Sequence, residues 1–272
     1  MVRLAPTPSG YLHFGNCCNF ALNALLGERY GLPLLLRIDD LDRGRYRRSY
    51  VEDIFRAIDL LGIRPDRGPS GVGDFEKNWS QLTRMDLYRE ALETARASGD
   101  LYACPCSRRQ IQEAGHRQDC RLRRVPFDAP NVAWRVDGLR FKSTYVIPDL
   151  VREEAFTVPV REVIPDFILR RRDGMPSYQL ASVVDDRHFG VSHVGRGADL
   201  LPSTAAQMMV AEILGYPELL KWQTFVHHPL LRGAAGEKIS KSAGNAAVRE
   251  LDTRDLRDRA TKIAESWLMK SV

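Results

Sequence analysis

The run PLLLRI (Pro33 to Ile38), followed at once by DDLD, constrains the fold of this chain more than any other stretch. An unbroken apolar segment of strand length is what a strand buried on both faces requires, as in a parallel sheet covered by helices. It ends in carboxylates, which places them at the strand's C-terminal edge. Upstream, VRLA (Val2 to Ala5) is a short apolar strand candidate that runs into PTPSGYLHFG, a Pro/Gly/Ser turn. A helix is predicted next, roughly Asn16 to Leu26, ended near Gly27. Beyond DDLD, Ser49 and Glu52 form an S-x-x-E capping pattern. The helix behind it carries Val51, Ile54, Phe55, Ile58 and Leu61 on one face and stops at Gly62. Leu82, Met85, Tyr88 and Leu92 recur at helical spacing and predict an amphipathic helix over about Ser80 to Ser98. Strand–helix–strand–helix is the pattern of an α/β fold with a doubly wound, Rossmann-type parallel sheet.

The middle of the chain changes character. VAWRV (Val132 to Val136) and DFILRRRDGMPSY, with an Asp173–Gly174 turn, read as strands with a hairpin signal. After them VSHVGRG reads as a strand, PSTAAQMMVAEILG as a helix with Pro202 near its start, and WQTFVHHPLL again as a strand. The expected organisation is therefore residues 1–98 as the first half of the sheet domain and 99–182 as an inserted α+β subdomain. Residues 183–235 form the second half, and 236–272 hold a glycine-flanked basic loop and a short helical tail. With 272 residues the chain is long enough for a large core. The N-terminus lacks a secretion signature, and no run approaches the roughly 18 apolar residues that span a bilayer. A cytoplasmic, monomeric protein with no membrane partner is expected.

A net charge of +5 is compatible with a polyanionic partner without establishing one. Basic residues cluster at RGRYRR (Arg43 to Arg48), RLRR (Arg121 to Arg124) and LRRR (Leu169 to Arg172), and for each alone a solvated surface is the simpler account. Three of the five cysteines and one of the six histidines fall within CPCSRRQIQEAGHRQDC, Cys104 to Cys120. In a cytosolic chain such a cluster leans toward metal binding or catalysis, and a Cys104–Cys106 disulfide would be strained. Cys17 and Cys18 lie in the first helix and read as packing residues.

Two stretches carry chemistry. HFGN (His13 to Asn16) follows a strand and opens a helix, where backbone N–H groups and the helix dipole make an anion site. Gly15 lets a phosphate or a base approach the backbone, and His13 and Asn16 supply donors. KISKS (Lys238 to Ser242) lies between Gly236 and Gly244, and its two lysines can neutralise charge developing on a leaving pyrophosphate.

The two stretches resemble the HIGH and KMSKS signatures of class I aminoacyl-tRNA synthetases, in the same order. RLAPTPSGYLHFGN is similar to the opening motif of glutamyl-tRNA synthetases. LRIDDLD resembles their RIED-D, DFILRRRDGMPSYQLASVVDD their DF-L-R-DG---Y-LA-VVDD, and VGRGADLL their RG-DL. The resemblance is collinear over nearly the whole chain. It implies a substrate pocket in which Arg3, Ala5 and Thr7 hold L-glutamate, arginine being suited to bidentate carboxylate recognition. Asp39 would bind the α-amino group, standing where the family usually has glutamate, and Tyr178 and Arg196 would complete the pocket. His13, Gly15 and Asn16 would contact ATP, and Lys241, with Lys238, would act on its phosphates. Asn16 departs from the last HIGH position. The implied reaction is in-line attack of the glutamate α-carboxylate on the α-phosphate of ATP–Mg²⁺, with no enzyme nucleophile.

Only about thirty residues follow KISKS in this sequence, where full-length glutamyl-tRNA synthetases carry a helical anticodon-binding region. That resembles the glutamyl-queuosine tRNA(Asp) synthetases, which glutamylate the queuosine base in the anticodon of tRNA(Asp), so the tRNA(Asp) anticodon stem-loop is the favoured partner. The family's C-x-C, gap, Y-x3-C zinc pattern is similar to Cys104, Cys106, His116 and Cys120, with histidine in place of tyrosine. The resemblance thus implies structural Zn²⁺ in a Cys3His set. The competing expectations are an ordinary glutamyl-tRNA synthetase charging tRNA(Glu), an H-x-G nucleotidylyltransferase acting on a small molecule, and a non-catalytic RNA-binding paralogue.

Overall fold

The computed structural model describes residues 1–107, 109–111, 118–164, 166–231 and 255–269. The main elements in chain order are β1 (Val2–Leu4), α1 (Phe14–Tyr30), β2 (Leu34–Leu36), α2 (Arg48–Leu60), α3 (Met85–Ala97), β3 (Leu101–Cys104), β4 (Ala133–Val136) and β5 (Tyr145–Ile147). They continue with β6 (Phe156–Val158), β7 (Ile168–Arg170), α4 (Tyr178–Phe189), β8 (His193–Gly197), α5 (Leu201–Ile213), β9 (Thr224–His228) and α6 (Leu256–Met269), joined by shorter helices and turns.

The central sheet has the order β2-β1-β8-β9 and is parallel throughout. Every residue of β1 and β2 is buried, as the unbroken apolar run requires. Alternation sends neighbouring side chains to opposite faces. Leu34 and Leu36 join α1, α2 and α6 in one core cluster. Leu35, Val194 and Phe225 join α3, α4 and α5 in the other. Isolated parallel bridges extend both edges, Arg67 beside Leu35 and Asp149 beside Phe225. The first depends on Gly68, whose φ is +131° and where a Cβ would lie 2.5 Å from the Leu36 carbonyl oxygen.

Three local expectations are corrected. Helix α1 runs through Gly27 and ends at Gly31, which adopts the left-handed conformation with φ 61°. Gly27 instead lets the chain return tightly, since the Leu32 N–H donates to its carbonyl at 2.9 Å. Helix α2 begins at Arg48, so Ser49 lies inside the first turn and forms no capping box. Glu52 turns to Arg48 at 3.4 Å. The stretch after Ser80 is a 3₁₀ turn, Gln81–Arg84, and only from Met85 an α-helix.

Between α3 and α4 the chain builds an antiparallel sheet of order β3-β4-β7 and a β5–β6 hairpin. Helix α6 buries a stripe of Leu256, Ala260, Ala264 and Trp267 in the cluster that contains α1. Among the described residues no helix is long and apolar enough to cross a membrane.

Candidate active site

The N-terminus of α1 is set by two side chains. The Leu12 N–H donates to Asp53 Oδ2 at 2.7 Å, tying the Pro/Gly/Ser turn to α2. His13 is extended, and its N–H donates to Asn16 Oδ1 at 3.0 Å while the Asn16 N–H returns to the His13 carbonyl at 2.9 Å. The amide oxygen of Asn16 thus closes the first helical turn. The helix N-terminus opens into a cavity of about 540 Å³ lined by His13, Gly15 and Asn16 and, at its other end, by Arg3, Ala5, Thr7, Tyr178 and Arg196. These residues come from four separate segments: the β1 end with its following turn, the α1 start, the α4 start and β8. Such convergence beyond the C-terminal ends of parallel strands is where α/β sheets hold ligands. A larger cleft of about 640 Å³, between the end of α1, the start of β2 and α6, contains none of these residues.

Asp39 departs from this grouping. It faces a recess of about 230 Å³ that shares only Thr7 and Tyr178 with the main cavity. Its carboxylate accepts two hydrogen bonds from Arg37, at 2.7 and 3.0 Å. Lys238, Lys241 and His116 lie outside the described residues.

The charges under the cavity form a buried network. Asp186 accepts from Arg3 Nε at 2.8 Å, from Arg37 Nη1 at 2.5 Å and from Gln223 Nε2 at 2.9 Å. Asp185 accepts from Arg84, Gln81 and Tyr88. Although burial opposes it, Arg3 and Arg37 hold the Asp186 carboxyl below the usual carboxylate range. Burial likewise opposes the Asp185 charge, and Arg37 and Arg84 prevail. At Asp39 burial pushes the carboxyl up in spite of Arg37. A ligand ammonium group there would supply the missing positive charge.

Arg196 is the residue left short. It is 4% exposed, and its one hydrogen bond among the described residues is Nη2 to Gln207 Oε1 at 2.8 Å. Nε and Nη1 of Arg196 and Nη2 of Arg3 are buried donors without a partner among the described residues. Burial pushes the Arg196 guanidinium down to about 10, with Arg3 acting in the same direction. Buried unpaired donors on two cations in one cavity fit an anionic ligand, and the planar fork of arginine fits a carboxylate best.

Arg37, Asp185, Asp186 and Gln207 are the functional neighbours that motif reading missed. VVDD sits in a helix whose other inward residues, Ser182 apart, are apolar, and two buried carboxylates demand buried cations. That signal was present without naming Arg37 as the partner.

Two histidines brace the strand ends. His227 Nδ1 and its backbone N–H both donate to Asp149 Oδ2, at 3.1 and 2.7 Å, and the opposite ring nitrogen lies 2.9 Å from Thr204 Oγ1. His228 donates from Nδ1 to the Pro229 carbonyl at 2.9 Å and accepts at Nε2 from Asn19 at 3.1 Å. Burial holds both rings below the ordinary 6.5. The less buried His193 shifts the same way. The unfolded chain therefore binds protons near pH 6.5 that the folded chain refuses, so stability is full above that value and lost as pH falls below it. The expected slope is about 1.4 kcal/mol per pH unit for each ring that resists protonation. Melting temperatures measured from pH 7.5 to 5 should fall, and less steeply in His227→Gln.

In the insertion, the thiols of Cys104, Cys106 and Cys120 lie within 4.8 Å of one another. The Cys106–Cys120 and Cys104–Cys120 Sγ separations are 3.4 and 4.0 Å. Tetrahedral zinc with bonds near 2.3 Å places its ligand sulfurs about 3.8 Å apart, so the three thiols fit such an ion. Cys17 and Cys18 are fully buried and distant from this group in the core of α1.

Comparison with known proteins shows the family. Residues 1–130 and 135–266 match the family described as tRNA synthetases class I (E and Q), catalytic domain. A glutamate–tRNA ligase of Dehalococcoides mccartyi is 35% identical over 259 residues, covering 92% of this chain and 52% of the relative. A glutamyl-Q tRNA(Asp) synthetase of Symbiobacterium thermophilum is 38% identical over 258 residues, covering 89% of this chain and 78% of the relative. The chain thus spans about half the length of the first of these relatives. The crystal structure of a glutamate–tRNA synthetase from Elizabethkingia anophelis superposes with a TM-score of 0.74 at 26% identity, covering 88% of this chain and 52% of that one. The chain belongs to the class I tRNA synthetases of the E and Q type.

Proposed function

We propose that this chain activates L-glutamate with ATP–Mg²⁺ and transfers it to the queuosine base in the anticodon of tRNA(Asp). The observation that carries the first half is the pair of buried guanidiniums, Arg3 and Arg196, lining one cavity, with Arg3 Nη2 and Arg196 Nε and Nη1 lacking an acceptor among the described residues. The glutamate carboxylate that does not react satisfies those donors, and Asp39, next to Thr7 and Tyr178, receives the α-ammonium group. The α-carboxylate is then presented toward the α1 N-terminus, where His13 and Gly15 receive the triphosphate. Attack of a carboxylate oxygen on the α-phosphorus forms glutamyl-adenylate and releases pyrophosphate from the far side. A nucleoside hydroxyl next attacks the activated carbonyl carbon, losing its proton as AMP departs. Fixed charges and positioning supply the acceleration, with Lys238 and Lys241 acting on the phosphates.

The acceptor rests on resemblance. Relatives named glutamyl-Q tRNA(Asp) synthetase match this chain over 78% to 83% of their length. Those named glutamate–tRNA ligase match over 52%. ATP–pyrophosphate exchange tests the activation step: exchange should require L-glutamate and fail with L-aspartate or L-glutamine. Exchange that is independent of the amino acid would overturn it.

The cysteine group is a structural Zn²⁺ site in this scheme, held by Cys104, Cys106 and Cys120 with His116 as the fourth ligand. Zinc there would order an insertion whose local core is small. Metal analysis should find about one zinc per chain, lost together with several degrees of melting temperature in Cys120→Ser. Glutamate-dependent exchange should persist in that variant, because no residue of the cavity is removed.

A further inference from the structure

The cavity has a wall that none of the motifs accounts for. At its nucleotide end, beside His13, Gly15 and Asn16, it is closed by His228, Leu230, Leu231 and Trp267. Trp267 comes from α6, yet its ring lies flat on that of His228, with centroids 4.0 Å apart and planes 6° from parallel. His228 is immobilised from its edges as well. Its Nδ1–H is given to Pro229, and its Nε2 accepts from Asn19, whose Nδ2 also reaches the Gly195 carbonyl at 3.1 Å. Asn19 stands one turn beyond Gly15 on α1, so one imidazole joins α1, β8 and the end of β9. Both rings are buried, Trp267 at 4% and His228 at 7% exposure.

We propose that Trp267 and His228 form a positioning pair for the nucleotide, extending the ATP end of the cavity onto the C-terminal helix. Trp267 holds the imidazole plane, and the chain beyond the imidazole brings Leu231 beside Gly15 of α1 and Leu230 beside Gly197 of β8. The groups that touch a ligand are only as exact as the residues behind them. Loss of the indole leaves a void behind the wall and frees His228 to rotate away from Asn19. The stack itself contacts Asn19 and Pro229 and neither Arg3 nor Arg196, so ATP and glutamate binding should separate.

This inference rests on the cavity being a nucleotide site. Trp267→Leu keeps an apolar side chain in the α6 stripe while removing the ring, and Trp267→Phe keeps a ring. ATP affinity, measured by equilibrium dialysis, should fall about tenfold in Trp267→Leu and return to within about threefold of native in Trp267→Phe. The KM for glutamate in pyrophosphate exchange should move by less than about twofold. Native-like ATP affinity in Trp267→Leu would overturn the pair's role while leaving the proposed function standing. So would a parallel loss of ATP and glutamate affinity with a lowered melting temperature, which marks packing alone. Absence of ATP binding by the native chain would overturn both.

Discussion

Replacing Arg196 by leucine is expected to lower kcat/KM for glutamate by about two to three orders of magnitude while leaving the melting temperature unchanged or higher. The two halves of this result have one cause. In the folded protein the guanidinium is buried, makes one hydrogen bond among the described residues and has its pKa pushed down to about 10. It therefore costs folding free energy until a carboxylate arrives, and an apolar side chain removes that cost. With substrate present, the same change removes a charge-assisted, desolvated interaction, a loss of about 3–4 kcal/mol. Steady-state exchange kinetics and thermal unfolding on one preparation measure both quantities. Arg196→Lys should rescue little, because an ammonium cannot reproduce a two-pronged contact.

Asp186→Ala should behave in the opposite way, with a collapse in stability that precedes any kinetic effect. Its carboxylate is shared by Arg3, Arg37 and Gln223, and both arginines are held in the interior. Removing it leaves two buried cations with too few acceptors, a loss of about 3–5 kcal/mol. For a chain of this length that is a fall of about 6–15 °C in melting temperature. Because Arg3 also loses its anchor, the residual folded enzyme should show a raised KM for glutamate. The carboxyl is held below its ordinary pKa. Its stabilising contribution is therefore present above about pH 4 and is lost as pH falls below that value. Asp186→Ala should make that acid-side decline shallower, the remainder coming from Asp185.

The sheet was legible because its strands are sequence-local signals. PLLLRI can be satisfied only where both faces are covered, and VRLA and FVHH behave in the same way. HFGN alone is a weak signal, since most such tetrapeptides are simply turns, and it became legible only together with KISKS through the resemblance. Helix ends were less so. Gly27 and Gly31 are both plausible stops in sequence, and only the left-handed backbone at Gly31 distinguishes them. Ser49 reads as a cap until the ion pairs of Arg48 with Glu52 and Glu76 draw the helix start back by a turn's fraction. Arg3, Thr7, Tyr178 and Arg196 were identified through a resemblance, and the structure brings them to one cavity from distant points of the chain. Hidden altogether were the pairings across those distances: Arg37 with Asp186, Arg84 with Asp185 and Trp267 with His228. In sequence, Trp267 is one more apolar residue in a helical stripe, because periodicity records which face is buried and not what lies against it.

The acceptor is the central claim, and one labelling experiment addresses it directly. Radiolabelled L-glutamate and ATP–Mg²⁺ are incubated with the native chain and three RNAs: tRNA(Asp) containing queuosine, the same tRNA lacking it, and tRNA(Glu). Label on queuosine-containing tRNA(Asp) alone is the expected result. Label on tRNA(Glu) alone would contradict it.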